Sequence, residues 1–392
     1  MFPSYVQQIL DTLEQAGYEA YAVGGCIRDG LLGREVNDYD VTTSACPEAI
    51  LSVFSAWRTV PTGLEHGTVT VVTPHGSVEV TTYRIDGSYS DSRHPDAVCF
   101  TDSICADLSR RDFTVNAMAC GSRGFVDPYG GREDLANRLL RAVGEPRVRF
   151  EEDALRIMRL YRFAAQLGFT MEERTRRAAE AGAGRLRMVA RERICAELLK
   201  LITAPSAESV LCMMQEAGIL RLILPTDALL DIAACGKVAP LPYVRLGALL
   251  RHLDEEERAG VLRSLRLSRR MTADTQAVAG ALGRMPEPDV RLDVTARRLM
   301  RAHGVLAVDV ADAMCALSLL PTALPDVLRA QIDMGACVAL SSLAVSGEEL
   351  RACGLSGRDV GACLDRLLDR VIEHPEDNTR ETLLKLVKRR EE

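Results

Sequence analysis

The spacing of apolar residues changes about a third of the way along the chain. Short runs of β-branched and other apolar residues are concentrated in the first third; they are Ala20–Val23, Tyr39–Thr43, Val69–Thr73 and Val78–Tyr83. The last two runs flank Pro74-His75-Gly76-Ser77, a turn sequence that predicts a β-hairpin. The N-terminal segment up to Gly17 has apolar residues at helical spacing and predicts an amphipathic helix. We therefore predict an α+β or α/β head.

From about Arg149 onward the pattern is typical of helices. Apolar residues recur three and four positions apart, as at Leu155, Met158, Phe163 and Leu167, and β-branched runs nearly disappear. Glycine and proline mark breaks between the predicted helices, at 182–184 and near Pro225, Pro286 and Pro321. This part of the chain is predicted to be all helical.

Composition places the chain among ordered globular proteins. Its 392 residues suggest two or three domains, or a small catalytic domain with a helical extension, and 47% hydrophobic with 26% charged residues is ordinary for such proteins. None of the 12 cysteines falls in a CxxC pair, which favours free thiols in a reducing compartment over a metal or disulfide framework. We find no signal peptide and no apolar run approaching the roughly 20 residues that span a bilayer, so we expect a cytoplasmic protein without membrane contact.

The net charge of −7 argues against indiscriminate coating of nucleic acid, because such binding depends on phosphate neutralisation. Contact with RNA would need local basic surface. One candidate is an arginine-rich stretch, with only Glu180 and Glu192 opposing it: Arg174, Arg176, Arg177, Arg185, Arg187, Arg191 and Arg193. A solvated helix face is the alternative for each of these arginines.

The first chemical motif is a glycine pair between a predicted strand and a short helix, in Tyr21 to Gly33. Gly24 and Gly25 allow the backbone to approach a phosphate, and Arg28 lies one turn further on. A tight turn without function is the alternative.

The second motif is Asp38-Tyr39-Asp40 at the head of the next predicted strand. Residues two apart on a strand share a face, so the two carboxylates are expected side by side, where a hard divalent cation would relieve their repulsion. Two Mg²⁺ ions roughly 3.5–4 Å apart can activate an attacking hydroxyl and stabilise leaving pyrophosphate. We predict Asp38 and Asp40 as the catalytic metal ligands. Glu79, an acid in an apolar strand, is either a third carboxylate or a surface residue, and we leave it out of the site.

Two further segments carry arginines beside acceptors. The segment Arg110 to Ala119 contains Arg111, which is suited to a triphosphate or sugar, and Asp112 and Asn116, which are suited to ribose hydroxyls. An Arg–Asp pair that caps a helix is the alternative for Asp112.

The segment Glu151 to Phe163 contains four polar residues spaced by three, so that neighbours share a helix face: Asp153, Arg156, Arg159 and Arg162. An Asp and an Arg side by side match the edge of a base, and an i,i+3 salt bridge is the alternative.

Together these motifs resemble the class II tRNA nucleotidyltransferase and poly(A) polymerase family, above all the bacterial CCA-adding enzymes. Order and spacing agree over about residues 20–170, and a weaker likeness continues at Leu343 to Leu350. The matched elements are GGxVRD at 24–29 with Ile27 for the usual Val, DxD at 38–40, RRDFTxNA at 110–117, DPxxGxxDL at 127–135 and EDxxR at 152–156.

The resemblance implies a polymerase-β-like nucleotidyltransferase head followed by all-α neck, body and tail domains. We place the catalytic head at residues 1–148, the neck with its base-selecting helix at 149–205, the body at 206–330 and the tRNA-binding tail at 331–392. It also implies that Gly25, Arg28 and Arg111 contact the triphosphate, and Asp112 and Asn116 the ribose region. Asp153 and Arg156 would pair with the incoming base, supported by Arg159 and Arg162.

The predicted function is template-independent addition of CMP and AMP, from CTP and ATP, to the 3′ end of tRNA with Mg²⁺. The Gly-, Ser- and charge-rich segment Tyr83 to Pro95 fits the mobile loop that relatives adding the final A retain. Some relatives carry a C-terminal HD phosphohydrolase domain, which needs several histidines and an adjacent His-Asp pair. Here His252 is followed by Leu253, and only His303 and His374 lie beyond, so we expect no such activity. The alternatives are an A-adding enzyme or poly(A) polymerase of this family and, more remotely, a catalytically retired RNA-binding protein. The sequence does not indicate an oligomeric state.

Overall fold

The computed structural model describes residues 2–86, 98–284 and 291–388. The chain divides into two compact units, residues 1–225 and residues 226–392. The predicted division into head, neck, body and tail, with its boundaries, stays a prediction.

The strands all lie in the first unit of the described chain: β1 (Ala20–Val23), β2 (Asp40–Thr43), β3 (Arg58–Gly63), β4 (Thr68–Thr73), β5 (Gly76–Thr82), β6 (Arg84–Asp86), β7 (Val98–Phe100), β8 (Ala119–Gly121), β9 (Gly124–Val126), β10 (Leu139–Leu140) and β11 (Thr170–Met171). The helices of the first unit are α1 (Ser4–Gln15), α2 (Gly25–Leu31), α3 (Pro47–Val53), α4 (Ile104–Ser109), α5 (Gly131–Ala136), α6 (Pro146–Glu152), α7 (Leu155–Leu167), α8 (Glu173–Gly182), α9 (Arg191–Ile202), α10 (Ala207–Glu216) and α11 (Ile219–Ile223).

The main sheet, as far as the described residues show it, has seven strands in the order β3-β4-β5-β2-β1-β8-β9. Its neighbouring strands are antiparallel except for β2 and β5, which run parallel. Along β4 and β5, buried residues alternate with more accessible ones, the period expected of a sheet with one face in the core. The predicted hairpin is present and tighter than expected, because Thr73 pairs with Gly76 and leaves only Pro74 and His75 in the turn.

Helix α1 packs on this sheet through the face that its sequence predicts. Val6, Ile9, Leu10 and Leu13 are all buried and join a core cluster with residues of β2, α3, β4 and β5. The spacing of these four residues follows the helical repeat, so one side of α1 is continuously apolar. Packing of α1 therefore fixes β2, on which the candidate metal ligands depend.

Residues beyond Pro146 are mainly helical, and the prediction of an α+β head followed by a helical remainder is confirmed. One element departs from it: β11, at Thr170–Met171, forms a short parallel pair with β10. This pairing ties the segment after α7 back to the strand that precedes α6.

The second unit is helical throughout its described residues. Its helices are α12 (Ile232–Lys237), α13 (Pro242–Leu249), α14 (Glu255–Ser264), α15 (Arg269–Leu282), α16 (Leu292–His303), α17 (Ala307–Ala316), α18 (Leu324–Asp333), α19 (Gly347–Ala352), α20 (Arg358–Glu373) and α21 (Arg380–Lys388). Within it, the buried Arg297 guanidinium is fully engaged by Asp293, Gln331 and the Ile372 carbonyl. No helix among the described residues of the chain is long and apolar enough to cross a membrane.

Candidate active site

The turn between β1 and α2 requires glycine at position 24. Gly24 has φ of +80°, a conformation that side chains disfavour, and its N–H donates to the Met118 carbonyl at 3.1 Å. A Cβ atom at Gly24 would lie 3.0 Å from Nη1 of Arg111. The glycine pair therefore brings the backbone close to an arginine that was predicted from a distant part of the sequence.

The two predicted metal ligands lie at the start of β2. Asp40 is the first residue of the strand, whereas Asp38 lies in the segment just before it, so the strand argument for a shared face applies only in part. Glu79 of β5 is directly opposite Asp40 in the parallel register, and all three side chains are exposed. Glu79 is thus a close neighbour of Asp40. The spacing of residues along a single strand could not reveal this, because the two residues lie on different strands.

The electrostatic environment of Asp40 favours a cation. Although its side chain reaches solvent, partial desolvation by the surrounding protein raises the pKa of Asp40, and the charges of Glu79 and Asp38 raise it further against the lowering effect of Arg111. A divalent ion beside Asp40 would relieve this repulsion. Among the described residues no group of three or more His, Cys, Asp or Glu side chains could hold a metal ion. One or two carboxylates, with water and substrate phosphates, are the ligands that an ion of the Mg²⁺ type takes.

Arg28, Asn116, Asp112 and Arg159 form one hydrogen-bonded chain. Nη1 of Arg28 donates to the side-chain oxygen Oδ1 of Asn116 at 2.6 Å. The side-chain nitrogen Nδ2 of Asn116 donates to Oδ1 of Asp112 at 3.0 Å. Nε of Arg159 donates to Oδ2 of Asp112 at 2.7 Å. Four predicted nucleotide-binding residues, from three segments of sequence, are thus mutually fixed. The alternative for Asp112 was an Arg–Asp pair that caps a helix. In the structure Asp112 pairs instead with Arg159 of α7.

The network controls the charge of Asp112, which is buried. Burial alone would raise the pKa of this carboxyl, but the Arg159 guanidinium and the Asn116 amide lower it to about 2. Asp112 is consequently ionised at neutral pH. Arg159 benefits in turn: burial lowers its pKa, and the Asp112 charge more than reverses that effect.

Phe163 of α7 is surrounded by three arginines. The guanidinium carbons of Arg162, Arg28 and Arg159 lie 3.8, 4.9 and 5.3 Å from the centre of its ring. Cations over an aromatic face are attracted by its quadrupole, and the attraction is greater where water is excluded. Phe163 therefore helps to gather three positive charges that would otherwise repel one another.

Arg162 is buried beneath this group and is held by a second carboxylate. Burial lowers the pKa of Arg162, and the ion pair of its Nε with Glu197 of α9 partly compensates. Its Nη1 also donates to Gln166 at 2.6 Å. Arg162 thus supports the floor of the site by internal contacts.

Asp153 and Arg156 are not on one helix, and in this respect the sequence interpretation was wrong. Helix α6 ends at Glu152, Asp153 has extended backbone angles, and α7 begins at Leu155. The i,i+3 salt bridge is also absent between them: Asp153 pairs with Arg193 at 2.9 Å, and Arg156 pairs with Glu152 at 2.6 Å. The helical spacing in the sequence concealed a break that turns Asp153 toward the cleft.

A cleft of about 460 Å³ collects nearly all of the predicted residues. It is lined by Gly24, Gly25, Arg28, Asp40, Arg110, Arg111, Asp112, Asn116, Asp153, Leu155, Arg156, Arg159, Arg162, Phe163 and Arg193. Asp38 is not among the lining residues. Arginine dominates the lining, so the cleft suits an anionic ligand with several phosphate or carboxylate oxygens.

Buried Asp107 anchors the arginines at the edge of this cleft, and no sequence motif had pointed to it. Its carboxylate accepts from Arg110 at 2.9 Å and from Arg111 at 3.3 Å. Burial would raise the pKa of Asp107, but these two guanidinium groups hold it below its usual value. Nε of Arg111 is buried and has no hydrogen-bond partner among the described residues.

Other supporting residues were also missed, although some of them lie within the matched motifs. Asp29 holds Arg28 through two hydrogen bonds of 2.9 and 2.7 Å, and it lies in the GGxVRD motif. Glu152 lies in the EDxxR motif. Glu197 had no such signal, because its partner Arg162 is 35 residues away. Arg193 was predicted as part of the basic stretch, but its contact with Asp153, forty residues away, was not.

Most of the arginine-rich stretch from Arg174 to Arg193 is engaged within the protein. Arg176 and Arg177 pair with Glu173, and Arg185 pairs with Glu151. Arg191 donates to backbone carbonyls at Leu222 and Ile223. These internal contacts argue against a broad basic surface for RNA along this stretch. The predicted mobile loop, in contrast, lies mostly outside the described residues.

Comparison with known proteins agrees with this geometry. A model of the family described as "Poly A polymerase head domain" matches residues 20–141, and one described as "Probable RNA and SrmB- binding site of polymerase A" matches residues 168–228. The sheet, its paired carboxylates and the arginine-lined cleft accordingly define a nucleotidyltransferase.

Within this class, the chain belongs to the bacterial CCA-adding enzyme family, as the motifs predicted. It is 38% identical to a CCA-adding enzyme of Geobacillus kaustophilus (strain HTA426) over 287 residues, which cover 72% of this chain and 70% of the relative. It is 47% identical to one from Geobacillus sp. (strain WCH70), where the match spans about half of each chain, 54% and 52%. The solved structure of Bacillus stearothermophilus CCA-adding enzyme in complex with CTP is 32% identical, with a TM-score of 0.86 over 100% of this chain and 99% of that chain.

Proposed function

We propose that this chain is a template-independent tRNA nucleotidyltransferase that adds CMP and then AMP, from CTP and ATP, to the tRNA 3′ end and releases pyrophosphate. One observation supports the proposal: a single cleft is lined by the Asp40 carboxylate, by a set of arginines and by Asp153 and Arg156, which offer an acceptor and a donor to a base edge. Three curated relatives, from Geobacillus sp. (strain WCH70), Geobacillus kaustophilus and Geobacillus thermodenitrificans, carry the name CCA-adding enzyme and support the same activity. The cytoplasmic location stays a prediction.

Asp38 and Asp40 hold Mg²⁺ in this proposal. The bound ions would supply charge stabilisation for the attacking 3′-hydroxyl and for the leaving pyrophosphate. The raised pKa of Asp40 supports the assignment, because crowded carboxylates of this kind gain most from a divalent ion. Glu79 lies beside Asp40 and strengthens the negative field that attracts the ion.

Gly25, Arg28 and Arg111 bind the triphosphate. The two glycines let phosphates approach the backbone, and Arg28 is already oriented by Asp29 and Asn116. The position of Arg111 supports its role, since Arg111 lines the cleft and is held there by Asp107. Asp112 and Asn116 face the ribose from the same network.

Asp153 and Arg156 read the base. Cytosine and adenine each carry an exocyclic amino donor, N4 or N6, where uracil and guanine carry an acceptor oxygen. A carboxylate such as Asp153 accepts from the amino group and repels the carbonyl, whereas Arg156 donates to a base acceptor. Arg159 and Arg162 support this edge of the cleft through Asp112, Glu197 and Phe163.

The test is incubation of purified protein with Mg²⁺ and a tRNA that lacks its CCA end. CTP alone, ATP alone and both together are offered, and products are resolved at single-nucleotide resolution. Two additions with CTP and three with both nucleotides are expected. Asp40→Ala is the control for a contaminating activity.

Other outcomes separate the alternative functions. Extension by ATP alone, and only of a tRNA that already ends in CC, would identify an A-adding enzyme. A run of A residues without CTP incorporation would identify a poly(A) polymerase. Binding of tRNA that is unaffected by Asp40→Ala, with no product under any condition, would identify a retired RNA-binding protein.

A further inference from the structure

Arg193 reaches the base-reading edge of the cleft from a separate helix. It lies on α9, forty residues from Asp153 in sequence, and its Nη2 donates to Oδ2 of Asp153 at 2.9 Å. Both side chains are largely covered, with 28% of the Arg193 side chain and 17% of the Asp153 side chain exposed. A charge-assisted contact in such a site is stronger than one on the open surface.

Asp153 depends on this contact because its own backbone constrains it little. It lies in the break between α6 and α7, with φ of −137° and ψ of 104°. Its other oxygen, Oδ1, accepts from the N–H of Leu155 at 2.9 Å, a local contact only two residues away. Each oxygen has one donor in place and keeps a further lone pair for a ligand. Without Arg193, only the Leu155 contact would resist rotation of the carboxylate.

Arg156 has a separate support. Its Nη1 donates to Glu152 at 2.6 Å and to the Arg149 carbonyl at 3.1 Å, and its Nη2 donates to the Arg110 carbonyl at 2.8 Å. None of these acceptors involves Arg193. Loss of Arg193 should therefore disturb one half of the base-reading pair and leave the other half in place.

We propose that Arg193 is the positioning residue that sets nucleotide specificity by fixing the Asp153 carboxylate as an acceptor for the amino group of cytosine or adenine. The inference rests on the proposed function, because it assigns to Arg193 a part in the base selection proposed there. A fixed carboxylate discriminates an amino group from a carbonyl, whereas a mobile carboxylate can turn away from the carbonyl of uracil or guanine. Arg193 acts through Asp153 and needs no contact of its own with the nucleotide.

The test compares Arg193→Ala, Arg193→Lys, Asp153→Ala and the double variant Arg193→Ala/Asp153→Ala. The readout is the ratio of kcat/KM for CTP over UTP, and for ATP over GTP, on tRNA primers of defined 3′ end. Arg193→Ala should lower both ratios by roughly tenfold, as expected for loss of one well-placed charged contact. Arg193→Lys should retain part of the discrimination, because lysine keeps the charge without the fixed fork of guanidinium donors. The matched control is Arg123→Ala, which removes another ion-paired arginine, the partner of Glu19 in the head.

The double variant distinguishes positioning from an independent role. If Arg193 acts through Asp153, adding Arg193→Ala to Asp153→Ala should change the ratios no further. Unchanged ratios in Arg193→Ala, or an additive loss in the double variant, would overturn the proposal. If Arg193→Ala does not fold, as judged by thermal unfolding, Arg193→Lys alone and combined with Asp153→Ala supplies the same comparison.

The wild-type enzyme is measured first on the same primers. Failure to add C and A there would contradict the proposed function itself. Normal wild-type addition with unchanged variant ratios would contradict only the role of Arg193.

Discussion

Nε of Arg159 lies 2.7 Å from Oδ2 of Asp112, although 47 residues separate the two in the sequence. Both were predicted to serve the nucleotide, and in the structure they bind each other. Asp112 also accepts from the Asn116 amide and from the N–H of Phe113 at 2.8 Å. Asp112 therefore orders the polar floor of the cleft through three internal contacts.

The charge on Asp112 predicts an acid-sensitive contribution to stability. Its pKa is about 2 in the folded protein, below the ordinary value of 3.8, so its stabilisation is complete above about pH 4 and lost as pH falls toward 2. The shift corresponds to about 2 kcal/mol. Asp112→Asn should lower the free energy of unfolding at pH 7 and make it less dependent on pH between 4 and 2. Urea titrations of both proteins across this range measure the effect, and parallel pH curves would contradict it.

The shared metal site predicts that Asp38→Ala and Asp40→Ala abolish addition of both nucleotides. Each change should lower the rate by more than about a thousandfold, as expected when the groups that hold charge-stabilising ions are removed. Chelation by EDTA should do the same to the wild-type enzyme, with recovery on addition of Mg²⁺. Primer extension with CTP and ATP measured separately checks this. Retention of either addition by a folded variant would rule out the two-ion assignment.

The close approach of Gly24 to Arg111 predicts a kinetic defect for Gly24→Ala. The new Cβ would lie 3.0 Å from the Arg111 guanidinium and displace it. KM for CTP and ATP should rise by roughly threefold to tenfold, because a shift of the guanidinium by a few tenths of an ångström is enough to disturb its alignment with the triphosphate. Gly17→Ala is the matched control, because Gly17 also has positive φ, +90°, but no described neighbouring atom lies within 4 Å of the position that its new Cβ would take.

Both glycine changes should lower stability by a similar amount, roughly 1–3 kcal/mol from backbone strain. Only Gly24→Ala should alter nucleotide KM. An equal kinetic effect of Gly17→Ala would attribute the defect to general destabilisation.

The proposed role of Asp153 and Arg156 in reading the base predicts that Asp153→Ala and Arg156→Ala degrade the choice among nucleotides more than tRNA affinity. A well-placed pair contributes about 1–3 kcal/mol of discrimination, which corresponds to roughly 5- to 150-fold. Misincorporation of UTP and GTP is compared with tRNA binding by filter retention. Lost tRNA binding with unchanged discrimination would mean that these residues serve only the fold.

Sequence reasoning succeeded where the chemistry lies in short contiguous motifs. The Gly24-Gly25 turn, Asp40 on β2 and the arginines of 110–117 all reach the cleft as predicted. The predicted helical placement of Asp153 was wrong, because the spacing of three continues along the sequence while the backbone breaks between α6 and α7. Asp153 nevertheless lines the cleft. Glu79 could not be placed either, since the parallel pairing that sets it beside Asp40 joins strands nearly forty residues apart.

Local sequence was enough to predict β1, β2, β4, β5, α1 and α2 in the head, the helical character of the remainder and the family. These follow from periodicity and from motifs whose spacing is fixed along the chain. The other strands and helices of the head, such as β3 and α4, were not predicted. The ion-pair partners were settled instead by packing in three dimensions: Arg159 with Asp112, Arg162 with Glu197, and Arg193 with Asp153. A buried charge is costly without a partner. Which residue becomes that partner depends on the packing of elements that are distant in the sequence, so only the tertiary structure determines these pairs.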